Sequence, residues 1–140
     1  RWDEVDLQKK LWTIPAERMK AGRQHQVPLV KRAMALLKTV ADDSSKGYIF
    51  RPSEADKPLS DGAFRALMDR MDQGQYVPHG FRSSFTDWAH EVATGHSHET
   101  IEMALAHTVR NQTEAAYRRG NLLEKRKVLM EEWEVFLNEI

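Results

Sequence analysis

The chain has 140 residues, 41% hydrophobic and 30% charged, enough for one domain with one core and too apolar for a disordered chain. No run approaches the roughly 18 apolar residues of a membrane-spanning helix, and no segment reads as a signal peptide. The absence of cysteine excludes disulfides and thiolate metal sites and fits a reducing compartment. Formal net charge is zero but unevenly spread: from Glu17 to Lys38 one acid faces six bases, from Arg110 to Lys127 two acids face six, and Glu131, Glu132, Glu134 and Glu139 crowd the end. Two basic stretches inside a neutral total are compatible with a DNA-facing side and an acidic far side, and equally with solvated surface charge.

Residues 2 to 29 predict short strands, at Val5 to Leu7, Leu11 to Ile14 and His25 to Leu29, where β-branched and aromatic side chains are enriched. Ala21-Gly22 signals a turn between the last two, placing Lys20 near a hairpin tip. From Leu29 to Val40 the spacing of Ala33, Leu36, Leu37 and Val40 predicts a helix, and the stretch 42–47 a loop. Tyr48 to Phe50 is a short extended piece. Ser60-Asp61 is expected to cap a helix carrying Phe64, Leu67, Met68 and Met71 on one face and ending by Gly74. Pro78 opens the next, with Phe81, Phe85, Trp88 and Val92 at helical spacing; Phe81, Phe85 and Trp88 are expected in the core, and Gly95 as the stop. Ser97 caps a helix holding Ile101, Met103, Ala104 and Leu105. A short helix with Tyr117 follows, broken by Gly120, and the last presents Leu122, Leu129, Trp133, Phe136 and Ile140 as an apolar stripe. The fold class expected is α+β, one domain with a small antiparallel sheet packed beside a mainly helical bundle.

Four polar features stand out. His79 and Arg82, three apart at a helix start, share one face. His107 follows the apolar run 103–106, and Tyr117 lies ten residues later between Ala115-Ala116 and Arg118-Arg119. Lys20 rides the hairpin. Taken singly, each has an ordinary structural explanation: a histidine at a helix end as cap or surface group, a tyrosine beside arginines as packing or a phosphate contact. His90, His96 and His98 read as surface histidines, since neither partnering carboxylates nor helical histidine spacing accompanies them; no metal is expected.

In order, these residues resemble the signature of tyrosine recombinases: a hairpin lysine, His-x-x-Arg, a histidine after an apolar turn, then a tyrosine about ten residues on. The wording around them, Pro78-His79-Gly80-Phe81-Arg82 with Asp87-Trp88-Ala89, Ala104-Leu105-Ala106-His107 and Ala115-Ala116-Tyr117-Arg118-Arg119-Gly120, is similar to prophage and satellite-phage integrases. So are Trp2-Asp3-Glu4-Val5-Asp6, Glu17-Arg18-Met19-Lys20 and His25-Gln26-Val27-Pro28-Leu29, so the resemblance spans nearly the whole chain. The family's first catalytic arginine precedes the stretch matching Trp2 to Asp6, and Arg1 does not stand in its place. Residues 1–140 are therefore expected to be a partial C-terminal catalytic domain, inactive alone.

The resemblance implies site-specific recombination, the integration or excision of a phage or genomic island. Tyr117 would attack a phosphodiester and hold the strand as a 3′-phosphotyrosine. Arg82 and His107 would grip the non-bridging oxygens, His79 accept or relay the tyrosine proton, and Lys20 protonate the departing 5′ oxygen. Arg23 and His25, beside the hairpin, are candidate DNA-backbone contacts. No cofactor is implied. The partners implied are double-stranded attachment sites and further copies of the protein, a tetrameric synapse, in the bacterial cytoplasm at the nucleoid. A catalytically silent DNA-binding module of the same fold is the alternative; a helical protein-interaction domain is a third reading.

Overall fold

The computed structural model describes residues 1–41, 46–51, 57–107 and 121–139. Three strands form one antiparallel sheet in the order β1 (Val5–Asp6), β2 (Leu11–Ile14), β3 (His25–Pro28). The β1–β2 turn is tight: Asp6 Oδ1 accepts the amide of Lys9 at 2.8 Å, and Lys10 takes a left-handed conformation (φ 52°). β2 and β3 pair Leu11 with Pro28, Trp12 with Val27, Thr13 with Gln26 and Ile14 with His25. Between them a single 3₁₀ turn (Ala16–Arg18) precedes the predicted glycine turn, where Gly22 sits at φ 62° and its amide reaches Met19 O at 2.9 Å. The strand pattern of the sequence is thus recovered, with β1 ending at Asp6 rather than Leu7 and β3 at Pro28 rather than Leu29.

Five helices are described: α1 (Lys31–Val40), α2 (Ala63–Arg70), α3 (Pro78–Glu91), α4 (His98–Ala104) and α5 (Leu123–Glu139). Pro78 opens α3 at a position where no amide donor is needed. Ser97 caps α4, its Oγ accepting from the Thr100 amide at 3.3 Å. The α1 start lacks a side-chain cap of its own and borrows one, because Glu134 of α5 accepts the Arg32 amide.

The main core lies where α3, α4 and α5 meet. Phe85, Trp88, Ala89, Ala93, Ile101 and Leu129 are buried there, with Leu105, Trp133 and Phe136 packed against them. Its aromatic part is continuous: Trp88 and Trp133 stand 4.8 Å apart between centroids, and Phe85 meets Trp133 edge-on at 5.5 Å. His96, between α3 and α4, ties back to Glu132 of α5 at 2.9 Å.

Two sequence expectations about the fold need correction. Phe81 is 61% exposed and outside the core: it sits in the first turn of α3, and the helix enters the core only further along, through Phe85, Trp88 and Ala89. Ser60 and Asp61 make no side-chain cap; α2 begins after Gly62, whose carbonyl accepts the Ala66 amide, and α2 buries no residue at all. The apolar stripe of the last helix joins the core as expected through Leu129, Trp133 and Phe136, and a buried cation adds to its hold. Arg126 is 2% exposed, the largest fully buried side chain among the described residues. Its Nη1 donates to Gln26 O (2.6 Å) and its Nε to Asn121 O (2.9 Å), while Asn121 Nδ2 donates to Gln26 Oε1 at 2.6 Å. One member of the second basic stretch therefore locks α5 to β3 instead of facing outward.

Candidate active site

α4 ends in a way that turns the chain back over its own last turn. Ala106 is left-handed at φ 56°, the His107 amide bonds Glu102 O (3.0 Å), and the Ala106 amide bonds Met103 O (3.2 Å). This is the paired-bond helix stop usually built on glycine. It brings the His107 ring over Glu102, so that Nδ1 and Glu102 Oε2 are 2.8 Å apart.

Arg82, from the first half of α3, completes the cluster. Its Nη2 donates to Leu105 O at 2.7 Å, filling one of the carbonyls that a helix end leaves without a partner, and also meets His107 Nε2. The partners fix the histidine tautomer: a guanidinium only donates, so Nε2 accepts, and Nδ1–H is donated to the carboxylate. Both protons of Nη2 are engaged in this way. Nε–H and Nη1, on either side of Nη2, are the donors left to meet an anion.

The remaining candidates are placed less closely. His79 is exposed in the first turn of α3, one turn before Arg82. Lys20 and Arg23 are exposed on the β2–β3 connection, as the sequence predicts for a hairpin tip. His25 is half-buried at the start of β3; burial first, then the positive charge of Arg126, pushes its pKa down. Tyr117 lies outside the described residues, but its described flanks are fixed: His107 in the Arg82 cluster on one side, and Asn121, bonded to Gln26 of β3, on the other.

Two features escaped the sequence reading. Glu102 holds His107, and its only sequence signal is a position five residues earlier on a helix about to end. The histidines read as unaccompanied do have a carboxylate: donor atoms of His90, His98 and Glu102 lie within 4.8 Å of one another. The i, i+4 spacing of His98 and Glu102 on α4 is the signal that could have found it.

Residues 1–123 match the phage integrase family, and they include Lys20, His79, Arg82, His107 and Tyr117. The chain belongs to that family. Among its relatives it is 36% identical to prophage integrase IntA of Escherichia coli K12 over 95% of this chain and 32% of that protein. It is 31% identical to the integrase of Enterobacteria phage P4, over 99% of this chain and 35% of the relative. With prophage integrase IntZ of Escherichia coli K12 it shares 31% identity over 95% of this chain and 33% of that protein. The chain thus spans about a third of the length of these integrases. No solved structure gives a significant match. The α+β architecture expected from the sequence, five helices and a three-stranded antiparallel sheet among the described residues, agrees with membership of this family. Among the described residues no helix is long and apolar enough to cross a membrane.

Proposed function

We propose that this chain is the C-terminal part of the catalytic domain of a site-specific DNA recombinase, which cleaves and rejoins strands through Tyr117 to integrate or excise a mobile element. The observation that carries the reading is the convergence of Arg82 on Leu105 O and His107, 23 and 25 residues further on across the α3–α4 join, with Glu102 holding the His107 ring, directly before the segment that contains Tyr117. Family membership and the names of the relatives support it.

The chemistry asked of each residue is ordinary. Arg82 donates to the phosphate oxygens from Nε and Nη1, and from Nη2 once that nitrogen lets go of the His107 ring. With an anion bound, the Arg82–His107 contact gives way, and Nε2 takes up a proton and donates it to the same phosphate, while Glu102 keeps Nδ1–H and balances the charge. The Tyr117 oxygen attacks phosphorus, the bond to the 5′ oxygen breaks, and Lys20 delivers the proton that oxygen needs. His79 receives or relays the tyrosine proton. The joined 3′-phosphotyrosine conserves the bond energy for religation, so no cofactor is called for. The exposed Arg23 and the half-buried His25 are assigned to the flanking DNA backbone. In this reading a further arginine lies before Arg1, the protein self-associates as a tetramer on paired attachment sites, and the work is done in the bacterial cytoplasm at the nucleoid.

The test is a covalent adduct. Full-length protein is given an attachment-site duplex with a nick just downstream of the cleavage point, so that the leaving strand diffuses away. A protein–DNA band resistant to denaturant is expected, and Tyr117→Phe, which removes only the attacking oxygen, should abolish it while duplex binding persists. An adduct formed by Tyr117→Phe would put the nucleophile elsewhere. No adduct from either protein, with binding that falls steeply as salt rises, would favour the silent DNA-binding module.

A further inference from the structure

We infer that His90, His98 and Glu102 form a binding site for a borderline divalent ion such as zinc, and that the ion competes with His107 for Glu102. Two elements build it. His98 and Glu102 lie one turn apart on α4, and His90 comes from the last turn of α3. The two imidazoles stack with centroids 5.4 Å and planes 29° apart. Among the described residues neither ring has a hydrogen-bond partner, so their nitrogens are available to a metal.

The donor set decides the class of ion. Two neutral imidazoles and a carboxylate suit zinc and its neighbours, whereas calcium and magnesium require mostly oxygen. Zinc bonds of about 2.0–2.2 Å in a tetrahedron place donors roughly 3.4 Å apart. The separations of up to 4.8 Å therefore close by a little over an ångström. His90 and His98 are both exposed, so rotation of their side chains achieves this without disturbing the core. The fourth position stays open to water.

Glu102 is shared, because its Oε2 already takes the Nδ1–H of His107 at 2.8 Å. A cation on that carboxylate withdraws the charge that holds the histidine, and by linkage His107 opposes the cation equally. The ion site stands without the recombinase reading. Only the consequence for strand cleavage, an active-site histidine losing its orienting partner, rests on it, and the adduct assay reads that separately.

The tag-free 140-residue chain, titrated with zinc chloride in competition with a chromogenic chelator, should bind one ion. His90→Ala and His98→Ala should each weaken it by about tenfold or more, at least the loss that removal of a mere outer-shell partner brings. His96→Ala, whose ring pairs with Glu132 instead, should leave the affinity unchanged. His107→Ala should tighten binding by roughly fivefold or more, the usual lower bound of a coupled pair. Absence of saturable binding, or an affinity indifferent to both His90 and His98, would overturn the site. An affinity unmoved by His107→Ala would overturn the competition.

Discussion

Arg82 shows why a guanidinium and not an ammonium stands at this position. One nitrogen of the guanidinium serves a helix-end carbonyl and the His107 ring together, and Nε and Nη1 stay available for an anion. Lysine, with a single nitrogen, cannot hold both protein partners and still present two further donor nitrogens to the anion. Arg82→Ala should slow single-turnover adduct formation in the full-length protein roughly 10²–10³-fold, and Arg82→Lys should recover little of it. Recovery by lysine to near the native rate would show that point charge suffices. At this scale the sequence was legible where chemistry is carried by order and spacing: His79, Arg82 and His107 were singled out, and Arg82 and His107 do meet. It was illegible where a role depends on three-dimensional approach. Only its place five residues earlier on a helix about to end marks Glu102 as the carboxylate beside His107, and nothing distinguishes Arg126, bonded to β3 and buried, from the bases around it in the sequence.

Among elements, α4 carries the most consequence for its length. Its left-handed stop is made by alanine, which lacks the freedom of glycine and takes this conformation at a cost of about 1–2 kcal/mol. Ala106→Gly should therefore raise stability by about 0.5–1 kcal/mol after the greater freedom of glycine in the unfolded chain is set against the relief. A thermal melt should show it as a rise of about 2–4 °C; a lower midpoint would mean that the strain is not where the backbone puts it. The sequence anticipated the other boundaries well because their signals are local: Pro78 opening α3, Ser97 capping α4, Gly22 in the hairpin. It failed at Ser60-Asp61 and at Phe81, where the outcome turns on which neighbours are present. Apolar periodicity says that a face exists and not whether anything packs on it, and the α2 face with Phe64, Leu67 and Met71 remains exposed.

On the scale of the whole molecule, the sheet and the helical core are joined through Gln26, whose carbonyl and side chain both receive donors from the α5 end. Arg126→Leu would leave Gln26 O and Asn121 O without these donors. It should destabilise the fold by about 2–4 kcal/mol in urea unfolding, chiefly through the unsatisfied carbonyls; a loss under half a kcal/mol would deny the clamp. The same region gives a pH dependence. Burial, and then Arg126, hold the His25 pKa below its unfolded value of about 6.5. The unfolded chain therefore binds the proton first: the contribution is fully present above that value and is lost as pH falls toward and through the native one. Unfolding free energy should decline between about pH 7 and pH 5, and His25→Gln should flatten part of that slope. An equal slope in the variant would assign it to other groups.

The tight end of α4 also orders events in time. Glu102, Leu105 and His107 lie within six residues, so their mutual arrangement costs almost no loop closure and is complete once that turn has formed. Only Arg82 arrives from a distance, 23 residues away from the carbonyl it caps. The anion site is thus a local template awaiting one long-range docking step. Substitutions in the template should alter chiefly how well the site is shaped, and substitutions in the α3–α4 packing how fast it is assembled.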